Sequence, residues 1–385
     1  MIEDWRHGGF GLYIHWPFCE SKCPYCDFNS HVQAKIDQKQ WLKAYLSEID
    51  RYGNLLPNRL LNSVFFGGGT PSLMQPELVG QILDRVHETW RTANDLEVTL
   101  EANPSSVEAE KFSKFAKAGV NRVSLGVQAL DDSDLKRLGR LHSAEDAKTA
   151  LNIAQSTFER VSFDLIYARQ DQSLSAWEKE LEEALLLAGD HLSLYQLTIE
   201  PGTAFGERDA RGLLKGLPSE DGSADMFELT QKLCQFAGFD AYEVSNHAKP
   251  GSESRHNLIY WRGGDYIGIG PGAHGRVTLG KTRYATECWS QPSKWLAEVD
   301  SGTPEKSRDP LSYLDQASEL LLMGLRLSEG VSLDRVRSLT PQALPEASLD
   351  ELRQLDLITT KARTIRTTFK GRMMLNAVVR TLMPG

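Results

Sequence analysis

From about residue 11 to residue 245, short β-branched or aromatic runs alternate with longer amphipathic ones. The strands expected from this pattern are Leu12 to His15, Ser63 to Phe66, Leu96 to Glu101, Arg122 to Val127, Val161 to Ile166 and His191 to Leu197. Between them, PELVGQILDRVHETW, SVEAEKFSKFAKAG, SAEDAKTALNIAQSTF and SLSAWEKELEEALLLAG carry apolar residues three and four apart, the mark of core-facing helices. Six βα units in succession predict an α/β fold with a parallel sheet, closed or partly closed as a (β/α)6 barrel. In such a barrel the chemistry sits at the C-terminal strand ends and in the loops that follow them.

After residue 245 the pattern changes. The stretch HNLIYWRGGDYIGIGPGAHG has three Gly-containing turns and little periodicity. It predicts a Gly- and aromatic-rich segment over 246–305 that extends the barrel. From about 306 to 385 the chain is helical again and closes on helix, two short strands and helix, a winged-helix-like pattern for a smaller C-terminal domain. The barrel itself is assigned to 1–245. The motif Asp265-Tyr-Ile-Gly-Ile-Gly-Pro-Gly lacks the strand and helix context of a dinucleotide fingerprint.

Composition narrows the classes. The chain has 385 residues, 41% hydrophobic and 25% charged, as a globular protein does. Its net charge of −9, from 43 basic and 52 acidic residues, argues against a nucleic-acid surface, and no nucleic-acid partner is expected. No apolar run approaches the roughly 18 to 20 residues of a membrane span, and MIEDWRHGGF does not read as a secretion signal, so a cytoplasmic location is expected.

Three of the five cysteines crowd into CESKCPYCDF: Cys19, Cys23 and Cys26, just past the first strand. A bunch of this kind in a reducing compartment signals metal binding or redox chemistry, whereas Cys234 and Cys288 read as structural thiols. Two readings of the cluster stand. A structural zinc would take His15 or His31 as its fourth ligand. A four-iron cluster on three thiolates would leave one iron open for a small molecule.

CxxxCxxC with an aromatic before its last cysteine, at the end of the first strand of a βα barrel, resembles the radical S-adenosylmethionine superfamily. The resemblance implies a [4Fe-4S] cluster on Cys19, Cys23 and Cys26, with S-adenosylmethionine chelated at the open iron and cleaved to a 5′-deoxyadenosyl radical. It also assigns a pocket. Gly68, Gly69 and Thr70 in the turn GGGTP would hold the methionine amino group, although a tight strand-to-helix turn explains these glycines equally well. Glu101 in LEANP becomes a cofactor contact rather than a helix cap. Gln128 in SLGVQ and Arg140 in LKRLGRLH stand twelve residues apart, as in the oxygen-independent coproporphyrinogen oxidase group, and Arg140 would face the cofactor carboxylate. Asp164 in SFDLIYA would pair with a ribose hydroxyl, because a buried acid without a partner is costly. Tyr13 and Tyr25 match positions that touch the cofactor or cluster. One departure stands out: the group follows its Asp strand with a Gly-Leu-Pro-Gly-like turn, where this chain has Tyr167-Ala168-Arg169-Gln170-Asp171-Gln172.

Within this group the sequence favours a heme-chaperone branch over a functioning coproporphyrinogen III oxidase. The oxidase continues its third cysteine with Gly-Cys, where this chain has Asp27-Phe28. It also carries a long segment before the cluster, where 18 residues precede Cys19 here. His256-Asn-Leu-Ile-Tyr260-Trp261 matches the HNxxYW motif of the chaperone branch. A neutral imidazole suits heme iron, and Tyr260 and Trp261 offer flat apolar faces to a porphyrin; the bland alternative is a histidine bonded to backbone in a Gly-rich turn. His274, in GPGAHG, is expected only as a pocket-wall residue. The resemblance implies heme as cargo, acceptor hemoproteins such as membrane-bound respiratory enzymes, and a homodimer accompanying transfer.

Overall fold

The computed structural model of the chain describes residues 3–33, 35–104, 109–340 and 344–383. Six strands begin the sheet: β1 (Phe10–Trp16), β2 (Leu60–Gly68), β3 (Arg91–Ala102), β4 (Arg122–Gln128), β5 (Arg160–Tyr167) and β6 (His191–Gln196). Each overlaps a strand expected from the sequence. The helices alternating with them are α1 (Gln38–Leu55), α2 (Pro76–Thr89), α3 (Ala109–Lys117), α4 (Asp132–Arg137), α5 (Ala144–Thr157) and α6 (Leu174–Leu187). Their starts follow local chemistry: Ser143 and Asp146 form a reciprocal capping box, and Ser173 accepts from the Ala176 amide.

Beyond α7 (Ala204–Ala210) and α8 (Glu220–Phe236), the same sheet gains β7 (Asp240–Ala241), β8 (Asn246–Ala248), β9 (Asp265–Ile269), β10 (His274–Leu279), β11 (Thr282–Cys288) and β12 (Glu305–Pro310). The strand order is β12-β11-β10-β9-β1-β2-β3-β4-β5-β6-β8-β7. Seven neighbours from β9 through β6 run parallel; the rest pair antiparallel. The sheet is therefore a partial barrel with open edges at β12 and β7. Burial on both faces accounts for the near-continuous apolar run of β1.

HNLIYW, expected as irregular chain, lies wholly within the helix α9 (Arg255–Trp261). Ser254 caps it, and the Glu97 carboxylate accepts from the His256 amide, a favourable charge at a helix N-terminus.

Beside the C-terminal end of β1, Trp16, Phe18, Trp41, Tyr45 and Trp295 form an aromatic nest, with Trp41 and Trp295 stacked 5.6 Å apart. Trp295 comes from α10 (Pro292–Asp300). The Tyr45 hydroxyl donates to the His15 carbonyl at 2.7 Å. The end of β1 is thereby fixed where the cysteine loop departs.

The C-terminal part has its own core, from Ala317 to Leu382. It is built from α11 (Tyr313–Gly324), further short helices and a three-stranded sheet of Val331–Ser332, Thr364–Thr367 and Ile358–Lys361, a winged-helix-like arrangement. It docks on the barrel through Arg335, which pairs with both Asp4 oxygens at 2.9 Å, and through Arg276–Glu319.

Candidate functional site

The cysteine loop opens one residue after Trp16. Phe18–Cys19 pairs in parallel with His31–Val32, closing a short excursion that carries the other two thiols. The Cys26 amide donates to the Cys23 carbonyl at 3.2 Å. All three cysteines are free and half-buried, and they share one wall of a cavity of about 580 Å³ at the C-terminal ends of the strands. Burial pushes the Cys19 and Cys26 thiols up, and repulsion from the neighbouring Cys23 adds to this; the Arg140 cation pulls Cys19 the other way.

The histidines of the zinc reading are engaged with other partners. His15 engages the Tyr13 hydroxyl through Nδ1 and the Asn29 carbonyl through Nε2, each at 2.9 Å. His31 engages the Asn29 side chain at 3.1 Å. Among the described residues, no three His, Cys, Asp or Glu side chains are arranged around a single metal ion.

Neighbouring strands bring the other expected residues to the same cavity. Gly68, Gly69, Thr70, Glu101, Gln128, Arg140, Asp164 and Tyr25 all line it. The amides of the glycine turn are consumed inside the protein. Gly69 donates to the Trp16 carbonyl at 2.7 Å, Thr70 to the Phe18 carbonyl at 2.8 Å, and Gly68 to the Glu101 carboxylate at 3.1 Å. What the turn can still offer a ligand is carbonyl oxygen. The turn also needs its glycines: Gly68 has φ +112°, and a Cβ there would lie 2.6 Å from the His15 ring.

Two buried acids stand in this cavity. Burial lifts Glu101 to about 7, against the opposing Gly68 amide and with Asp164 repelling it. Burial likewise lifts Asp164 to about 6, opposed by Arg140 and by the Gln128 amide, which donates to both its oxygens at 3.0 and 3.2 Å. Gln128 reaches them from a left-handed backbone, φ 71°. Arg140 donates to the Cys23 sulfur at 3.3 Å, to the Gly126 carbonyl at 2.9 Å and to the Asn103 side chain. Its Nε is buried and has no partner among the described residues. A guanidinium with a spare buried donor, two acids and three thiols form a site for a zwitterionic, partly cationic ligand beside a metal cluster.

A second cavity, of about 380 Å³, adjoins the first and shares Phe28, Gly68 and Glu101 with it. Tyr13, Tyr260, Trp261 and Tyr266 line it, with His15, His274 and Met323. Tyr13 faces this second cavity rather than the first. His256 does not line it. Its ring is buried, stacked 4.9 Å from Phe65, and bonded at both nitrogens: Nδ1 with Ser63 at 2.7 Å and Nε2 with the Tyr260 hydroxyl at 2.6 Å. Burial drops its pKa to about 3, so the ring is neutral.

Sequence reasoning passed over Ser124, Tyr195, Gln196 and Thr198, all on the first cavity's wall. Tyr195, Gln196 and Thr198 sit at or just beyond the end of β6, where the strand-end rule could have found them, whereas Ser124 lies inside β4. The departing loop after Asp164 keeps its shape by other means. Ala168 and Asp171 take left-handed backbones, and buried Arg169 pairs with Asp134 at 2.7 Å and Glu180 at 2.6 Å.

A parallel half-barrel whose first loop presents three thiols to a pocket of acids and one guanidinium defines a radical S-adenosylmethionine protein. The superfamily profile matches residues 13–184, and the HemN C-terminal domain profile matches 311–374. The chain is 38% identical to Heme chaperone HemW of Escherichia coli (strain K12) over 374 residues, 96% of each chain. It is also 38% identical to Radical S-adenosyl methionine domain-containing protein 1, mitochondrial, of Bos taurus, covering 97% of this chain and 87% of that one. The solved structure of coproporphyrinogen III oxidase (HemN) from Escherichia coli superposes with a TM-score of 0.82 at 21% identity, over 97% of this chain and 90% of that one. The chain belongs to the radical SAM superfamily, in the HemN-related branch that includes the HemW heme chaperones. Membership implies a [4Fe-4S] cluster and S-adenosylmethionine, and the orphaned Arg140 Nε and the shared thiol wall fit both. No helix among the described residues is long and apolar enough to cross a membrane.

Proposed function

We propose that the chain is a heme carrier: it holds a [4Fe-4S] cluster on Cys19, Cys23 and Cys26, binds S-adenosylmethionine beside it, receives heme in the adjoining aromatic cavity and delivers heme to acceptor hemoproteins. The observation that carries this is the shared wall: the cavity lined by Tyr260 and Trp261 meets the cysteine pocket at Phe28, Gly68 and Glu101.

When bound, the cluster and S-adenosylmethionine supply reductive cleavage of a sulfonium. The protein's part is binding and orientation. Carbonyls of the Gly68–Gly69 turn accept from the methionine ammonium. Arg140 pairs with the methionine carboxylate through its free Nε. Asp164, oriented by Gln128, accepts from the ribose hydroxyls, and Glu101 offsets the cationic ligand. Tyr25 packs behind the cluster loop in an apolar patch with Leu135 and Phe205. His256, in the heme segment, holds Tyr260 against the cavity through its 2.6 Å hydrogen bond. Membrane-bound respiratory enzymes as acceptors, a homodimer during transfer and a cytoplasmic location belong to the same proposal.

The alternative is oxygen-independent coproporphyrinogen III oxidation. The anaerobically reconstituted chain should be given coproporphyrinogen III, S-adenosylmethionine and a reductant, and in parallel titrated with heme. Heme binding without protoporphyrinogen formation supports the carrier; catalytic protoporphyrinogen formation sinks it.

A further inference from the structure

Heme held as cargo needs a ligand that can reach its iron, and three imidazoles stand near the aromatic cavity. His15 lines it but is engaged at both nitrogens, by the Tyr13 hydroxyl and the Asn29 carbonyl. His256 lies behind Tyr260, buried and engaged at both nitrogens, by Ser63 and Tyr260. His274, the first residue of β10, also lines the cavity. Its side chain is exposed and no hydrogen bond holds it among the described residues.

We propose that His274 is the protein ligand to the heme iron, seated in the cavity walled by Phe28, Tyr260, Trp261, Tyr266 and Met323, while His256 is a positioning residue that acts through Tyr260. The proposal rests on the heme-carrier reading and deepens it.

Chemistry and place agree. Iron ligation needs an imidazole nitrogen that no other group holds; among the described residues His274 has no hydrogen-bond partner to leave, whereas His256 would first have to leave both partners and the Phe65 stack. The aromatic side chains supply a flat apolar surface for a porphyrin face. At about 380 Å³, the space beside the cysteine pocket falls in the range of roughly 300–1,000 Å³ typical of cofactor sites. The wall is also divided between two parts of the chain. His274 belongs to the strand extension of the barrel and Met323 to α11 of the C-terminal domain, so the seat lies where that domain docks. A carrier must release its cargo, and a ligand on the rim of an interdomain seat is easier to exchange than one in a closed core.

The test is a hemin titration of the full chain with its cluster reconstituted, read by absorbance and by electron paramagnetic resonance of the ferric state. His274→Ala should lose the histidine-ligated signature and bind hemin more weakly by at least the roughly 10–100-fold that loss of outer-shell partners causes. Free imidazole should restore the signature. His256→Ala should bind more weakly within that range but keep it. His274→Gln, close in size and no longer an imidazole, serves as a second variant, and unchanged cluster absorbance reports that either variant has folded. A histidine-ligated signature that persists in both His274 variants overturns the assignment while leaving the carrier reading intact. Failure of the wild-type chain to bind hemin overturns the carrier reading itself.

Discussion

Replacing Glu101 by Gln should stabilise the cofactor-free chain at high pH and weaken it as a binder of S-adenosylmethionine. In the fold, burial raises the Glu101 carboxyl from 4.5 to about 7. A group whose folded pKa is raised makes its full contribution to stability below the unfolded value, and this is lost as pH climbs through the folded value. The window therefore runs from about pH 4.5 to about pH 7. At about 1.36 kcal/mol per unit, a shift of 7 − 4.5 = 2.5 units sets a ceiling near 3.4 kcal/mol. Glu101 borders both cavities, which water reaches, so screening brings the expected penalty to about 2 kcal/mol. The glutamine can still accept from the Gly68 amide. Urea unfolding of the cluster-free chain at pH 4.5 and pH 8 should show wild type and variant alike at the lower pH, with the variant more stable by about 2 kcal/mol at the higher. Isothermal titration of the reconstituted proteins should then show the variant binding S-adenosylmethionine more weakly, because the carboxylate that destabilises the empty pocket offsets the ligand's charge. A stability gap that does not change with pH, or a variant that is less stable at pH 8, would refute the argument.

Three further outcomes follow from the same geometry. Serine at Cys19, Cys23 or Cys26 should abolish iron binding and the visible absorbance of the cluster, whereas Cys234→Ala, buried on α8, should retain both; iron analysis decides. Arg140→Lys should keep iron but lose affinity for S-adenosylmethionine by about tenfold or more, since a point cation cannot reproduce the forked contacts to Gly126, Asn103 and a ligand carboxylate. Gly68→Ala should lower stability by about 1–3 kcal/mol in thermal unfolding, from the forced left-handed backbone and the 2.6 Å clash with His15.

The barrel was legible because its strands are buried on both faces and its helices on one, so hydrophobic period alone separates them. Val161 to Ile166 and Arg122 to Val127 needed no partner information to be read as strands. The cysteine loop was equally plain, because ligand spacing is a local property. What escaped was set by distant pairing or by short length. β9 is only five residues, two of them isoleucine, and becomes a strand by pairing in parallel with β1, 255 residues earlier in register from Phe10 to Asp265. α9 spans seven residues, too few for a helical period to emerge, and it starts where it does because Glu97 on β3 accepts from its first turn. The capture of the Gly68 amide by Glu101 and of Asp164 by Gln128 are contacts between neighbouring strands. The family resemblance singled out those residues, but only the register showed that they hold one another.

The central claim is tested most directly by handover. The chain, reconstituted with its cluster under anaerobic conditions and loaded with one equivalent of heme, is mixed with an apo-hemoprotein, and the acceptor's heme spectrum is followed over time. The carrier account predicts that the acceptor spectrum grows as the donor spectrum declines, and faster than from the Cys19→Ser variant loaded in the same way. Heme retained by the chain in the presence of excess acceptor, or transfer no faster than from free hemin, would contradict it.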